Sequence, residues 1–360
     1  MNKKHKILIV LSDQFGYHTD TLMYCKYIDK SLFEIHYIGF DLGYSKFEIA
    51  DVTVHYIPCS RNKLIRNLRY LTSLNKINRQ YNFDLVFHIH TKFSLIIRII
   101  FWWNKYIFDI RTGDLSDNVF LRQLKNNWIC ILSALTRHTS VISEGLANEL
   151  NIKKYKRHII PLGGEMIPIA AKDFSSMSLL YIGALSKRNI HETITGLALF
   201  FKTNNKAEIV YDIVGSGSKA DINKLNETIS MTGLKMVVNY HGFIKYTDLP
   251  PFLQKGNIGV VYIPQKDYYQ HQPSTKLYEF LLSGMPIIAT NTIENRLEVN
   301  DSCGVLCEDN PLSFSLALQK VYQNRLNYKS EEIRKQKAAS DWGKIVKENL
   351  EPYFLKVISN

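Results

Sequence analysis

The sequence predicts an α/β protein built from two doubly wound parallel sheets in tandem. Three observations predict it. Short apolar runs alternate with segments of helical period, the pattern of strand, crossover helix and parallel strand. The alternation stops in a polar, weakly patterned stretch at 165–178, a candidate linker, and then restarts. The 360 residues, 46% of them hydrophobic, suffice for two ordinary cores.

The first series opens with an apolar run at 6–11 and a helix near 19–30. Strands at 33–39 and 52–57 follow, then a helix over 61–79, a strand at 85–90, a helix running to Trp103, strands at 106–111 and 140–143, and a helix at 144–150. The second series has strands at 179–183, 209–214, 237–241, 258–263, 286–290 and 304–306, with helices at 191–203, 220–232 and 274–283. Pro273 and Ser274 open the last of these helices, Gly284 closes it, and Pro286 leads into a buried strand. In such sheets ligands bind beyond the carboxyl ends of the strands, so a cleft between two facing units is the expected place for the chemistry.

Composition removes several classes. With 22% charged residues, 18 Gly and 10 Pro, the chain is neither disordered nor fibrous. Five cysteines (Cys25, Cys59, Cys130, Cys303, Cys307) are too few for a disulfide scaffold, and no further Cys or His cluster makes Cys303 and Cys307 a zinc site. A reduced cytosolic protein is expected. The basic start is followed by too short an apolar run for a signal peptide, and the apolar stretch at 94–103, interrupted by Arg98, is too short to span a bilayer.

The net charge of +12 is unevenly distributed, +9 up to Glu165 and +3 beyond. Residues 61–79 carry six basic and no acidic side chains, including Arg61, Lys63, Arg66 and Arg69, with Leu64, Leu68, Leu71 and Leu74 at helical spacing. Such a helix suits either a solvated face or an anionic membrane surface. Nucleic acid is not expected, because zinc-finger spacing and aromatic ribonucleoprotein motifs are missing.

The segment Ser274-Thr-Lys-Leu-Tyr-Glu279 is the most informative. Free N–H groups at Ser274, Thr275 and Lys276, the helix dipole and the Lys276 charge suit a phosphate. Glu279, one turn in, is placed to accept both hydroxyls of an attached ribose. An exposed Lys276/Glu279 pair is the structural alternative. Asp212-Ile-Val-Gly-Ser-Gly217 is a strand followed by a glycine turn at Gly215, and a lone G-x-G is most simply a tight turn. In the first series, His88 and His90 share a strand face, with His90 at its carboxyl end. Asp109 and Arg111 also share a face, which allows either a mutual salt bridge or an Arg111 that meets acceptor or phosphate. The loop after the first strand has one glycine, Gly16, and lacks G-x-G-x-x-G, which argues against a dinucleotide cofactor. No Asp-x-Asp occurs, so a metal-independent chemistry is expected.

Ser274-Thr-Lys-Leu-Tyr-Glu, five residues, then Pro-Ile-Ile-Ala-Thr290 resembles the nucleotide-sugar signature of GT-B glycosyltransferases of the group-one, family-four kind. Ile160-Pro-Leu-Gly163, Leu180-Tyr-Ile-Gly-Ala-Leu-Ser186, Asp212-Ile-Val-Gly-Ser-Gly217 and Tyr240-His-Gly-Phe243 fall in family order. The resemblance implies two facing Rossmann-like domains: an acceptor-side domain at 1–165, a nucleotide-sugar domain at 166–340, and a helix at 341–360 crossing back to the first. It implies that Glu279 binds ribose, that Gly183 and Gly215 line the nucleotide cleft, that Phe243 and Ile244 meet the base, and that His90 contacts the donor sugar. Gly16 and Arg111 fall on the acceptor side.

Two positions depart from the pattern. His271 stands where the family has the first glutamate of E-x7-E, the donor-sugar contact. In the diphosphate-binding G-R-L-(x3)-K, Ala184 and Asn189 take the Arg and Lys positions, leaving Lys187 or Arg188 to supply the charge.

The expected activity is transfer of a sugar from a nucleotide donor, UDP-sugar ahead of GDP-sugar, to a glycan or polyprenyl-linked acceptor. Retention of anomeric configuration, no cofactor and no metal are expected, in bacterial surface polysaccharide synthesis. The expected location is the cytoplasm, with a peripheral position on the inner face of the cell membrane through Arg61, Lys63, Arg66 and Arg69. The departures leave open a catalytically silent GT-B module that binds a glycan, nucleotide sugar or partner protein. A nicotinamide-dependent Rossmann enzyme is the third possibility.

Overall fold

The computed structural model describes residues 4–360. Residues 1–3 of the basic start lie outside the described residues. The chain divides into Met1–Pro161 with Trp342–Asn360, and Leu162–Asp341.

The first unit contains β1 (His5–Val10), α1 (Thr19–Tyr27), β2 (Phe33–Asp41), β3 (Val52–Pro58), α2 (Lys63–Tyr81), β4 (Leu85–Ile89), α3 (Ser94–Ile100), β5 (Tyr106–Ile110), α4 (Val119–Ala134), β6 (His138–Val141), α5 (Glu144–Glu149) and β7 (Arg157–Ile159). Its seven strands are ordered β3-β2-β1-β4-β5-β6-β7 and pair in parallel. β4 and β5 are buried along their whole length. Covered by helices on both faces, such strands read as continuous apolar runs rather than as alternation. The chain order reverses between β1 and β4, the switch point at which a doubly wound sheet opens a crevice.

The second unit contains β8 (Met177–Ile182), α6 (His191–Thr203), β9 (Ile209–Val214), α7 (Lys219–Met231), β10 (Val238–Tyr240), α8 (Pro250–Lys255), β11 (Ile258–Val261), α9 (Thr275–Leu282), β12 (Ile287–Thr290), α10 (Ile293–Glu298), β13 (Gly304–Cys307), α11 (Pro311–Asn324) and α12 (Ser330–Lys337). Its six parallel strands run β10-β9-β8-β11-β12-β13, with the switch between β8 and β11. Both units are therefore Rossmann-like.

The chain then adds α13 (Trp342–Ile345) and α14 (Glu351–Ser359) to the first unit, joined by a π-helical turn at Val346–Leu350. Trp342 is fully buried edge-on against Tyr24 of α1, with ring centroids 5.8 Å apart. Phe354 packs on Phe33 and Phe87, and Glu351 accepts the Asp29 N–H at 2.7 Å.

Several elements differ from the sequence expectation. The strand expected at 140–143 lies at His138–Val141, because its pairing with β5 starts at Ile107 opposite His138. Helix α4 was not legible: Val119, Phe120, Leu121, Leu124, Trp128 and Ile131 are exposed, so its apolar residues follow no single buried face. The basic helix α2 buries Tyr70, Leu74 and Ile77, while Leu64 and Leu68 of the expected leucine stripe face solvent.

Candidate active site

In the second unit, α9 follows β11 at the switch point. Ser274 precedes it in extended conformation and no side chain caps the helix, so its first turn presents uncapped N–H groups and the positive pole of the dipole. Lys276 Nζ donates to Glu279 Oε2 at 2.6 Å. The exposed-pair alternative does not hold, because the Glu279 side chain is only 4% exposed and that of Lys276 21%. Glu279 Oε1 is buried with no hydrogen-bond partner among the described residues.

Residues that the sequence reading did not assign to the site close around this turn. A Cβ on Gly164 would lie 2.7 Å from the Glu279 backbone nitrogen, so only glycine lets this segment rest on α9. Next to it, Glu165 Oε2 accepts from the Tyr246 hydroxyl at 3.2 Å, and Lys276 Nζ lies 5.7 Å from the centre of the Tyr246 ring. The adjacent pair Gly163-Gly164 was the available signal.

The turns after β8, β9 and β10 are tied together at the carboxyl end of the sheet. Gly183 N–H donates to the Val214 carbonyl at 3.0 Å, and Gly215 N–H to that of Gly242 at 2.8 Å. Gly215 has φ +151, and a Cβ there would overlap the Gly183 carbonyl oxygen. Phe243 is exposed beside this junction and Ile244 is half-buried.

The loop after β8 separates the two cations that sequence left equivalent. Lys187 and Asn189 are left-handed, at φ +60 and +53, and both are exposed. Arg188 between them turns inward, its guanidinium 4.4 Å from the centre of the Tyr269 ring, with Nη1 buried and unbonded among the described residues. Tyr181 braces the loop by donating to the Ala184 carbonyl at 2.6 Å. His271, 25% exposed, has Nδ1 3.7 Å from Glu294 Oε1. The start of α10 is tied to the same segment, with Glu294 N–H donating to the Gln270 carbonyl at 3.2 Å. A carboxylate thus stands beside the histidine that replaces the family glutamate, a proximity that sequence spacing did not reveal.

In the first unit, the loops after β1, β2, β4 and β5 enclose a cavity of about 480 Å³ lined by Asp13, His18, Arg66, His90, Lys92 and Arg111 among others. Arg111, 8% exposed, donates through Nε to Asp109 Oδ2 at 2.7 Å and through Nη1 to the Ile160 carbonyl at 3.1 Å. The mutual salt bridge forms, yet Arg111 Nη2 remains buried without a hydrogen-bond partner among the described residues. His90 sits in the cavity with Nδ1 3.2 Å from Ser94 Oγ, and burial lowers its pKa. His88 belongs to the core instead: it bonds to the Tyr106 hydroxyl, and burial, followed by the neighbouring His90, holds its pKa down at about 3.

Gly16 does not line this cavity. It is buried at φ +94, and the Phe47 ring occupies the space a side chain would need. Of the four basic residues assigned to a membrane surface, Arg61, Lys63 and Arg69 are exposed, whereas Arg66 is half-buried at the cavity wall. Among the described residues no group of three or more His, Cys, Asp or Glu side chains is arranged to hold a metal ion.

Residues 176–324, nearly all of the second unit's sheet and helices, match the family of glycosyl transferases group 1. Residues 176–324 thus carry a group 1 glycosyltransferase domain. The fold of this glycosyltransferase is GT-B throughout, as similarity to solved structures extends over both units. Sucrose-phosphate synthase from Thermosynechococcus elongatus aligns at TM-score 0.79 and 13% identity, over 99% of this chain and 100% of that one. HepE from Anabaena in complex with UDP-glucose aligns at TM-score 0.74 and 13% identity, over 97% and 99%. The lipopolysaccharide outer core galactosyltransferase WaaB aligns at TM-score 0.67 and 13% identity, over 95% and 97%. No curated protein matches the glycosyltransferase by sequence.

Proposed function

We propose that this glycosyltransferase moves a sugar from a UDP-sugar, ahead of a GDP-sugar, to a glycan or polyprenyl-linked acceptor in bacterial surface polysaccharide synthesis. The observation that carries the donor reading is the buried Glu279 carboxylate with one oxygen unpartnered, next to Lys276 at the start of α9. A ribose hydroxyl would supply the missing donor, and the helix terminus with Lys276 would take the diphosphate. Phe243 and Ile244 offer the base an apolar surface. The UDP-glucose complex of HepE supports the choice of base, and the WaaB likeness supports the pathway.

In the proposed reaction the acceptor hydroxyl oxygen bonds to the sugar C1 on the face from which the diphosphate leaves. The C1–O bond breaks with its electron pair on the phosphate oxygen, and the acceptor proton passes to that phosphate. The charge developing there is met by the α9 terminus, Lys276 and Arg188, with no metal required. His90, whose pKa burial lowers, is available as a hydrogen-bond partner for the sugar, and the cavity holding Arg111 receives the acceptor.

We place the enzyme in the cytoplasm, held peripherally at the inner face of the membrane. The exposed Arg61, Lys63 and Arg69 support that position. No described helix is long and apolar enough to cross a membrane.

His271, Ala184 and Asn189 favour a second reading, a silent module that binds donor without turning it over. Incubation with radiolabelled UDP-sugars separates the two readings. An active enzyme slowly releases UDP and free sugar without acceptor, whereas a silent module binds the donor and leaves it whole.

A further inference from the structure

Helices α2, α3 and α4 lie on one face of the first sheet. Each connects a strand to one farther along in the same direction of the order β3-β2-β1-β4-β5-β6, and right-handed crossovers place all three on the same side. α2 packs on α3, and the end of α3 shares a hollow of about 550 Å³ with the end of α4, lined by Arg98, Trp102, Trp103, Leu135 and Arg137 among others.

The outer surface of this layer exposes many large apolar side chains among its cations. Phe120, Leu124, Trp128 and Ile131 along α4 and Leu135 at its C-cap recur at helical spacing, each between 45% and 67% exposed. Trp102 is 58% and Trp103 93% exposed, and on α2 Leu64 and Leu68 are 79% and 65% exposed. Three of the four tryptophans stand here in solvent, while the fourth, Trp342, is buried. Exposed apolar side chains in this number on one helical layer mark a docking surface.

Its charge selects the occupant. The segments 61–79, 92–105 and 118–137 hold twelve Lys and Arg residues and no Asp or Glu. The nearby Asp114 is engaged with Lys125 at 2.9 Å. A second copy of the same face would set these cations against one another. An anionic bilayer matches both properties: tryptophans at the headgroup boundary, aliphatic side chains below, and lysines and arginines toward the phosphates.

We propose that α2, α3 and α4 together form a membrane-seating face, with Trp102, Trp103 and Trp128 entering the headgroup boundary of anionic phospholipid. The inference rests on the proposed membrane attraction of α2 and adds insertion by α3 and α4.

The test uses the full chain and phosphatidylcholine vesicles with or without phosphatidylglycerol, carrying brominated acyl chains. Vesicles with phosphatidylglycerol should blue-shift the tryptophan emission and quench most of it, whereas phosphatidylcholine alone leaves it unchanged. With Trp102, Trp103 and Trp128 all changed to Phe, the remaining Trp342 emission should stay unquenched. Phe120→Ser combined with Leu124→Ser, both at exposed positions, should lower vesicle partitioning about tenfold. Co-sedimentation with anionic vesicles without quenching would leave the α2 attraction standing and overturn the insertion. No co-sedimentation at low salt would overturn both. A concentration-dependent dimer whose tryptophans ignore vesicles would overturn the proposal in favour of self-association.

Discussion

Lys276 engages only one oxygen of Glu279: it donates to Oε2 at 2.6 Å, while Oε1 is buried and accepts nothing among the described residues. A buried polar atom left unsatisfied costs about 1–3 kcal/mol, which a ligand hydroxyl would recover. That asymmetry separates a surface ion pair from a site prepared for a ligand.

Glu279→Gln retains the shape of the side chain and removes its charge. UDP should bind about 10- to 100-fold more weakly to this variant, with pyrophosphate affinity little changed. Titration calorimetry with both ligands checks this, and equal UDP affinity would remove the ribose role from Glu279.

Arg188 faces inward over Tyr269, whereas Lys187 is exposed. Arg188→Ala should lower the transfer rate about 100-fold at saturating donor, and Lys187→Ala only a few-fold. Initial rates of UDP release measure both, and the opposite order would assign the leaving-group charge to Lys187.

Much of this site was legible because its chemistry is local. The spacing of Lys276 and Glu279 on one helix turn is a sequence property, and so is the position of His90 at a strand end. Their surroundings were not. Gly164, Glu165 and Tyr246 reach α9 from distant segments, and Glu294 reaches His271 only through the pairing of α10 with Gln270. The buried strands were readable as apolar runs, but α4 was missed because its outward face is as apolar as its inward one. Gly16 showed a glycine without showing that Phe47 would fill the space beside it.

Gly164→Ala would bring a Cβ to 2.7 Å from the Glu279 nitrogen and 2.8 Å from its Cα. Displacing α9 should cost about 1–3 kcal/mol and weaken UDP binding at the same time. Urea unfolding and calorimetry on one preparation of the variant check the pair, and unchanged stability in Gly164→Ala would contradict the close approach.

His88 should make the fold sensitive to acid. Its pKa in the folded state is about 3, below the ordinary 6.5, so the unfolded chain takes up a proton first as pH falls. Its contribution is complete above about pH 6.5, and about 2 kcal/mol of it is lost between pH 7 and pH 5. Urea unfolding at both pH values should show a smaller difference in His88→Gln by about that amount. An unchanged difference would mean that His88 does not stay neutral in the core.

The central claim, that the second unit holds a nucleoside diphosphate at the start of α9, is tested most directly by a thermal-shift series of UDP, GDP, ADP and CDP without added metal. UDP should raise the melting temperature in a concentration-dependent way, and Glu279→Gln should remove most of that shift. Stabilisation by none of the four, or an equal UDP shift in wild type and Glu279→Gln, would contradict it.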